Sequence, residues 1–163
     1  MRISKDITIT EDDNEFKFRL KQVSAYDLQR WGFKVGCALA ESGLFTMPGK
    51  LLINFSMEKL FAAIAEKGTA FLEKLDPEKA NDLILELVFK TTQRMNGNSL
   101  TELTEGELQN TFFDIRSLIE LEKEVISINF QKYWVESQSV SPISPQTVKD
   151  TLKRGIIVED LQS

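Results

Sequence analysis

The sequence predicts a mainly α protein: a domain of about four helices with an N-terminal β-hairpin over residues 1–136, followed by a flexible C-terminal tail at 137–163. Three observations carry this expectation. Apolar residues recur at helical spacing through most of the chain. A short stretch near the start alternates with period two instead, and the end is rich in Ser and Pro.

The hairpin comes first. Ile7 and Ile9 flank Thr8, Glu11-Asp12-Asp13-Asn14-Glu15 forms an acidic turn, and Phe16, Phe18 and Leu20 alternate with Lys17, Arg19 and Lys21. Alternation on both sides of a polar turn places one face against a core. A lone hairpin is marginal in water, so it is expected to lie against the helices that follow.

Ser24, with Asp27 three residues on, marks a helix start. Leu28, Trp31, Val35, Ala38 and Leu39 then repeat at helical spacing, and Gly43 is placed to stop the helix. Gly32, Gly36 and Ala40 form a row of small residues that permits close packing of a neighbouring helix. The connection from Gly43 to Phe55 is unusually apolar for a loop. It either folds back into the core or waits for a partner.

A second helix follows Ser56, with Met57, Leu60, Phe61, Ile64, Gly68, Phe71, Leu72 and Leu75 along one stripe. Asp76-Pro77-Glu78 reads as a stop and restart, Asp as the cap and Pro at the first helical position. The third helix carries Leu83, Ile84, Leu87, Val88, Thr91 and Met95 and is expected to end near Asn96-Gly97, with a polar segment from Asn98 to Leu103 after it.

The fourth helix is expected to run unbroken from about Thr104 to Glu136. Leu108, Phe112, Ile115, Ile119, Ile126, Phe130 and Tyr133 fall on one face, and Leu118, Leu121, Val125 and Ile128 on an adjoining one. So wide an apolar arc exceeds what one neighbour covers, so this helix is central or carries an oligomer interface. Asn129 lies within the arc and is expected to be hydrogen-bonded. Beyond it, Ser137 to Pro145 reads as a linker, Thr147 to Arg154 as two helical turns, and Gly155 to Val158 as a short apolar tag.

Composition narrows the chemistry. With 163 residues and an apolar share of 42%, the chain is long enough for one domain with a real core. It has no histidine, so the commonest metal ligand and general base is missing. The single cysteine, Cys37, has no such base to activate it and reads as a small buried residue. A net charge of −5, with Lys and Arg scattered among acids, argues against nucleic acid. No apolar run approaches the ~20 residues of a membrane helix, and the first residues lack the apolar core of a secretory signal. An intracellular protein with no membrane partner is expected.

No catalytic motif survives inspection. Gly43 to Lys50 fails as a phosphate-binding loop, because five residues separate its glycines and Leu51 follows the lysine. The acid clusters Glu102, Glu105, Glu107 and Glu120, Glu122, Glu124 read as solvated faces or helix starts. No catalytic, metal or cofactor-binding residue is assigned, and no cofactor and no enzyme activity are expected. The candidates for partner contact are apolar: Leu44, Phe45, Leu51, Leu52 and Phe55 in the long connection, and Phe130, Tyr133 and Trp134 at the end of the last helix. For Tyr133 and Trp134, core and interface remain equal alternatives.

The order of segments resembles a known family. A hairpin ending in Phe16-Lys17-Phe18-Arg19-Leu20-Lys21-Gln22-Val23-Ser24-Ala25 leads into a first helix. Later Phe112-Phe113-Asp114-Ile115-Arg116 runs through to Ile128-Asn129-Phe130-Gln131-Lys132-Tyr133-Trp134. This is similar to the tail assembly chaperones of long-tailed bacteriophages, whose last helix ends in an Asn-Phe pair followed by aromatics. Ser24 stands where the family often has a proline.

The resemblance covers roughly residues 7 to 136 and implies a non-enzymatic role. Such a protein binds the tape measure protein in the host cytoplasm and keeps it soluble. It promotes polymerisation of the tail tube protein, self-associates, and is not expected in the mature virion. The competing reading is a structural tail component, an adaptor or completion protein retained in the virion.

Overall fold

The computed structural model describes residues 2–43 and 56–139. Its first element is the expected hairpin. β1 (Ser4–Glu11) pairs antiparallel with β2 (Asn14–Lys21), from Ser4 opposite Lys21 to Glu11 opposite Asn14. Asp12 and Asp13 carry positive φ of 46° and 65° at the turn, the twist that suits a two-residue hairpin. Ile9, Phe18 and Leu20 point inward and are buried.

Helix α1 (Ala25–Glu41) starts where Ser24 Oγ accepts the Asp27 N–H. Helix α2 (Met57–Lys67) is capped by Ser56 and runs into a 3-10 turn at Gly68–Leu72. Helix α3 (Pro77–Thr91) has Asp76 as its cap, accepting the Glu78 and Lys79 N–H groups.

Here the structure departs from the four-helix expectation. The third helix ends at Thr91, and the chain turns extended at Thr92 to form β3 (Thr92–Asn96) and β4 (Ser99–Glu102). Leu20 lies opposite Thr92 and Phe18 opposite Arg94, so the hairpin grows into one antiparallel sheet in the order β1-β2-β3-β4. Gly97 takes a φ of +61° at the β3–β4 turn. The stop signal at Asn96-Gly97 was therefore a hairpin turn, and Met95 belongs to a strand. Strand β4 is exposed along its length. It carries no buried–exposed alternation by which a sequence reading would recognise a strand.

The long last helix is also two. Helix α4 (Glu105–Thr111) begins with a capping box, in which the Thr104 side chain accepts the Glu107 N–H and Glu107 accepts the Thr104 N–H. Helix α5 (Ile115–Ser139) follows a break at Phe112, which is extended. Glu11, reaching over from the end of β1, holds the break: its Oε1 accepts the Phe113 and Asp114 N–H groups at 2.7 and 3.1 Å. The architecture is thus five helices and a four-stranded antiparallel sheet among the described residues.

The core lies between the inner face of the sheet and the helices, with α5 packed against β1, α2 and α3. The Trp31 indole donates to the Leu83 carbonyl at 2.8 Å, tying α1 to α3. A Cβ at Gly32 would stand 2.4 Å from Met57 Sδ and 2.9 Å from a Phe61 ring carbon, so only glycine permits this α1–α2 approach. Asn129 on α5 is fully buried and fully used. Its Oδ1 accepts the Val23 N–H at 2.9 Å, and its Nδ2 donates to Thr91 Oγ1 and the Val125 carbonyl at 3.0 and 2.9 Å.

Candidate functional site

The C-terminal half of α5 is the centre of the candidate site, and helical geometry divides its aromatics. Residues three and four apart share a face, so Phe130 sets the direction and Tyr133 and Trp134 flank it. Phe130 is 0% exposed, its ring 5.5 Å from Trp31 and 5.2 Å from Phe61. In this conformation it has no surface to offer a partner. Tyr133 is half-buried against Phe61 at 5.1 Å, with the Lys132 ammonium 4.8 Å from its ring. Trp134 is 41% exposed.

Two grooves flank the outward ridge of α5, and Ser127 and Gln131 line both. The first, about 380 Å³, lies between α5 and the end of α2, with Ala65, Gly68, Ile126 and Trp134 on its walls. The second, about 490 Å³, lies between α5 and the start of β1, with Ile3, Ile128 and Val135 as its apolar lining. The Lys5–Glu124 ion pair, 2.6 Å, belongs to this second groove. Ile3 and Val135 are both more than half exposed. Both grooves offer apolar walls with a charged rim, which suits an amphipathic segment better than a small polar ligand.

The apolar connection proposed for partner contact cannot be placed beside these grooves. Leu44, Phe45, Leu51, Leu52 and Phe55 lie outside the described residues.

The structure adds an apolar knob at the α4–α5 break that the sequence reading missed. Phe112 turns inward, its ring 5.6 Å from Phe16 and 5.9 Å from Phe18. Phe113 is 86% exposed and Ile115 is 65% exposed. An unbroken helix was expected to put Ile115 on the inner face with Phe112; the break rotates it outward. Asp114 was the available signal: an acid just before Ile115 whose side chain accepts the Arg116 N–H is a helix cap.

The electrostatics are those of structural caps and ion pairs. The Phe113 N–H, then the Ser117 hydroxyl and the Asp114 N–H, hold the Glu11 carboxyl below the usual carboxylate range. Ser117 acts through proximity, because Glu11 Oε2 makes no well-formed hydrogen bond. Arg116 lowers Asp114 in the same way. Burial alone raises Glu122 on α5. Among the described residues no group of acidic and cysteine side chains is arranged to hold a metal ion. Cys37 is exposed rather than buried, contrary to its reading as a core residue. No described helix is long and apolar enough to cross a membrane.

No curated protein and no solved structure matches the chain. A family model does: the one described as phage tail assembly chaperone protein, TAC, matches residues 14–139. That span runs from the start of β2 to the end of α5 and so takes in the aromatic cluster, the Asn129 hub and the groove between α5 and α2, whereas Ile3 and Lys5 of the second groove precede it. The chain belongs to the phage tail assembly chaperone family.

Proposed function

We propose that the chain is a non-enzymatic chaperone that holds segments of the tape measure protein in the host cytoplasm while tail tube protein polymerises around them, and that it leaves before the virion is complete. Membership of the family carries the reading. The placement of exposed apolar groups supports it. A holdase needs apolar surface that a helical client can cover and leave, and a charged surround that keeps the free protein in solution. The grooves beside Trp134 and Val135 and the knob at Phe113 are such surfaces.

Binding through these surfaces is weak at each contact and reversible, as a transient helper requires. The test is mass spectrometry of infected lysate and of purified virions. The chain is expected in the lysate and in lysate complexes with the tape measure protein, and missing from the particle. Stoichiometric recovery from virions would replace this reading with that of a structural tail component.

A further inference from the structure

The groove between α5 and the start of β1 is matched in chemistry by a later stretch of the same chain. Ile3 and Val135 line it at 56% and 54% exposure, and half-buried Ile128 completes the apolar wall. The rim carries the Lys5–Glu124 pair and Lys132. The Lys132 ammonium lies against the Tyr133 ring, and no carboxylate among the described residues is within ion-pair distance of it. The sequence of residues 140–163, which lie outside the described residues, holds one run of three consecutive apolar side chains, Ile156-Ile157-Val158. Glu159 and Asp160 follow it at once. In a polar stretch such a run calls for cover.

We propose that Ile156, Ile157 and Val158 dock in this groove of their own chain, against Ile3, Ile128 and Val135, with Glu159 and Asp160 beside Lys132. Charge selects this occupant, because the two acids directly after the apolar run supply the partner that Lys132 lacks. Reach selects it as well. Helix α5 ends at Ser139, about 16 Å along its axis from Ile128. A flexible linker of the length from Ser139 to Ile156 has a root-mean-square span of about 23 Å, so the run can return to the groove. Tethering gives it an effective concentration of about millimolar, enough for a contact too weak to hold a separate molecule. The pairing is also particular to this chain, since Ile3, Lys5 and the apolar run all lie outside the family match at 14–139. The free protein thereby covers one of its own apolar margins, and a client must displace the run. That displacement, unlike the docking, rests on the proposed function.

Nuclear magnetic resonance of the isotope-labelled full chain, with no client present, tests the docking. The amides of 156–158 are expected to be ordered, with order parameters above about 0.6. Ile157→Asp is expected to release them below that value and to shift the amide signals of Ile3, Ser127 and Val135, with those around Trp31 unmoved. Val135→Glu, at an exposed position, is expected to free the run from the groove side. Lys132→Glu weakens docking, and Glu159→Lys with Asp160→Lys in the same chain restores it; this charge exchange decides the matter even if Val135→Glu fails to fold. Mobile 156–158 amides in the wild-type chain would overturn the proposal. So would order that survives Val135→Glu, or groove signals of labelled Ile157→Asp that recover when unlabelled wild-type chain is added, which would put the run on a second copy. A tape measure protein fragment is expected to bind Ile157→Asp about threefold more tightly than wild type, the gain from a run docked about two-thirds of the time. Equal affinity beside an ordered run would overturn the displacement, whereas binding by neither chain would count against the proposed function and leave the docking in place.

Discussion

Two side chains decide more of this fold than their size suggests. Glu11 closes the α4–α5 break, and hydrogen bonds to its charged form depress its pKa. A carboxyl depressed in the folded state stabilises the protein above its unfolded value, near 4.5 for Glu, and loses that contribution as the pH falls through the folded value. Glu11→Gln is therefore expected to lower Tm at pH 7, and the gap from wild type is expected to narrow steadily below about pH 4.5. Thermal melts from pH 7 to pH 3 check this; a constant gap would mean that shape rather than charge makes the contact. Asn129 works without charge. Asn129→Ala leaves the half-buried Val23 N–H without its acceptor and removes the buried Thr91 contact, at a cost of about 1–3 kcal/mol. Urea titration measures that loss, and a change under about 0.5 kcal/mol would mean that water replaces the amide.

At the scale of elements, adjacent phenylalanines at the α4–α5 break have opposite fates. Phe112 packs edge-on against Phe16 and tilted against Phe18, whereas Phe113 faces solvent. Phe112→Ala is expected to cost about 2–4 kcal/mol, near the low end for a large aromatic because the ring is half-buried. Phe113→Ala is expected to stay within about 0.5 kcal/mol, and to act on client binding instead. Denaturant midpoints of the two variants check the contrast.

The elements also show where sequence reasoning succeeds. The first hairpin, the caps at Ser24, Ser56 and Asp76 and the inward stripes of α1 and α3 were legible because local chemistry and burial agree there. The β3–β4 hairpin was not. Its strands are short, β4 is wholly exposed, and β3 owes its place to pairing with β2, which is distant in sequence. Spacing likewise placed Phe130, Tyr133 and Trp134 at the end of a helix, but not which of them the Trp31–Phe61 aromatic cluster would absorb. That depends on the azimuth of α5, set by Asn129 and Glu11 through contacts more than a hundred residues away.

For the whole molecule, the sheet and α2 grip one side of α5 and leave the apolar margins at Trp134 and Val135 open. Under the proposed function, the open margins hold the tape measure protein. Co-expression with the tape measure protein tests it most directly, with the soluble fraction of that protein as the readout. The wild-type chain is expected to raise that fraction and to co-purify with it. A Trp134→Glu, Val135→Glu variant, folded as judged by its melt, is expected to do neither. A tape measure protein that stays insoluble beside the well-folded wild-type chain, or is rescued equally by both, would contradict the claim.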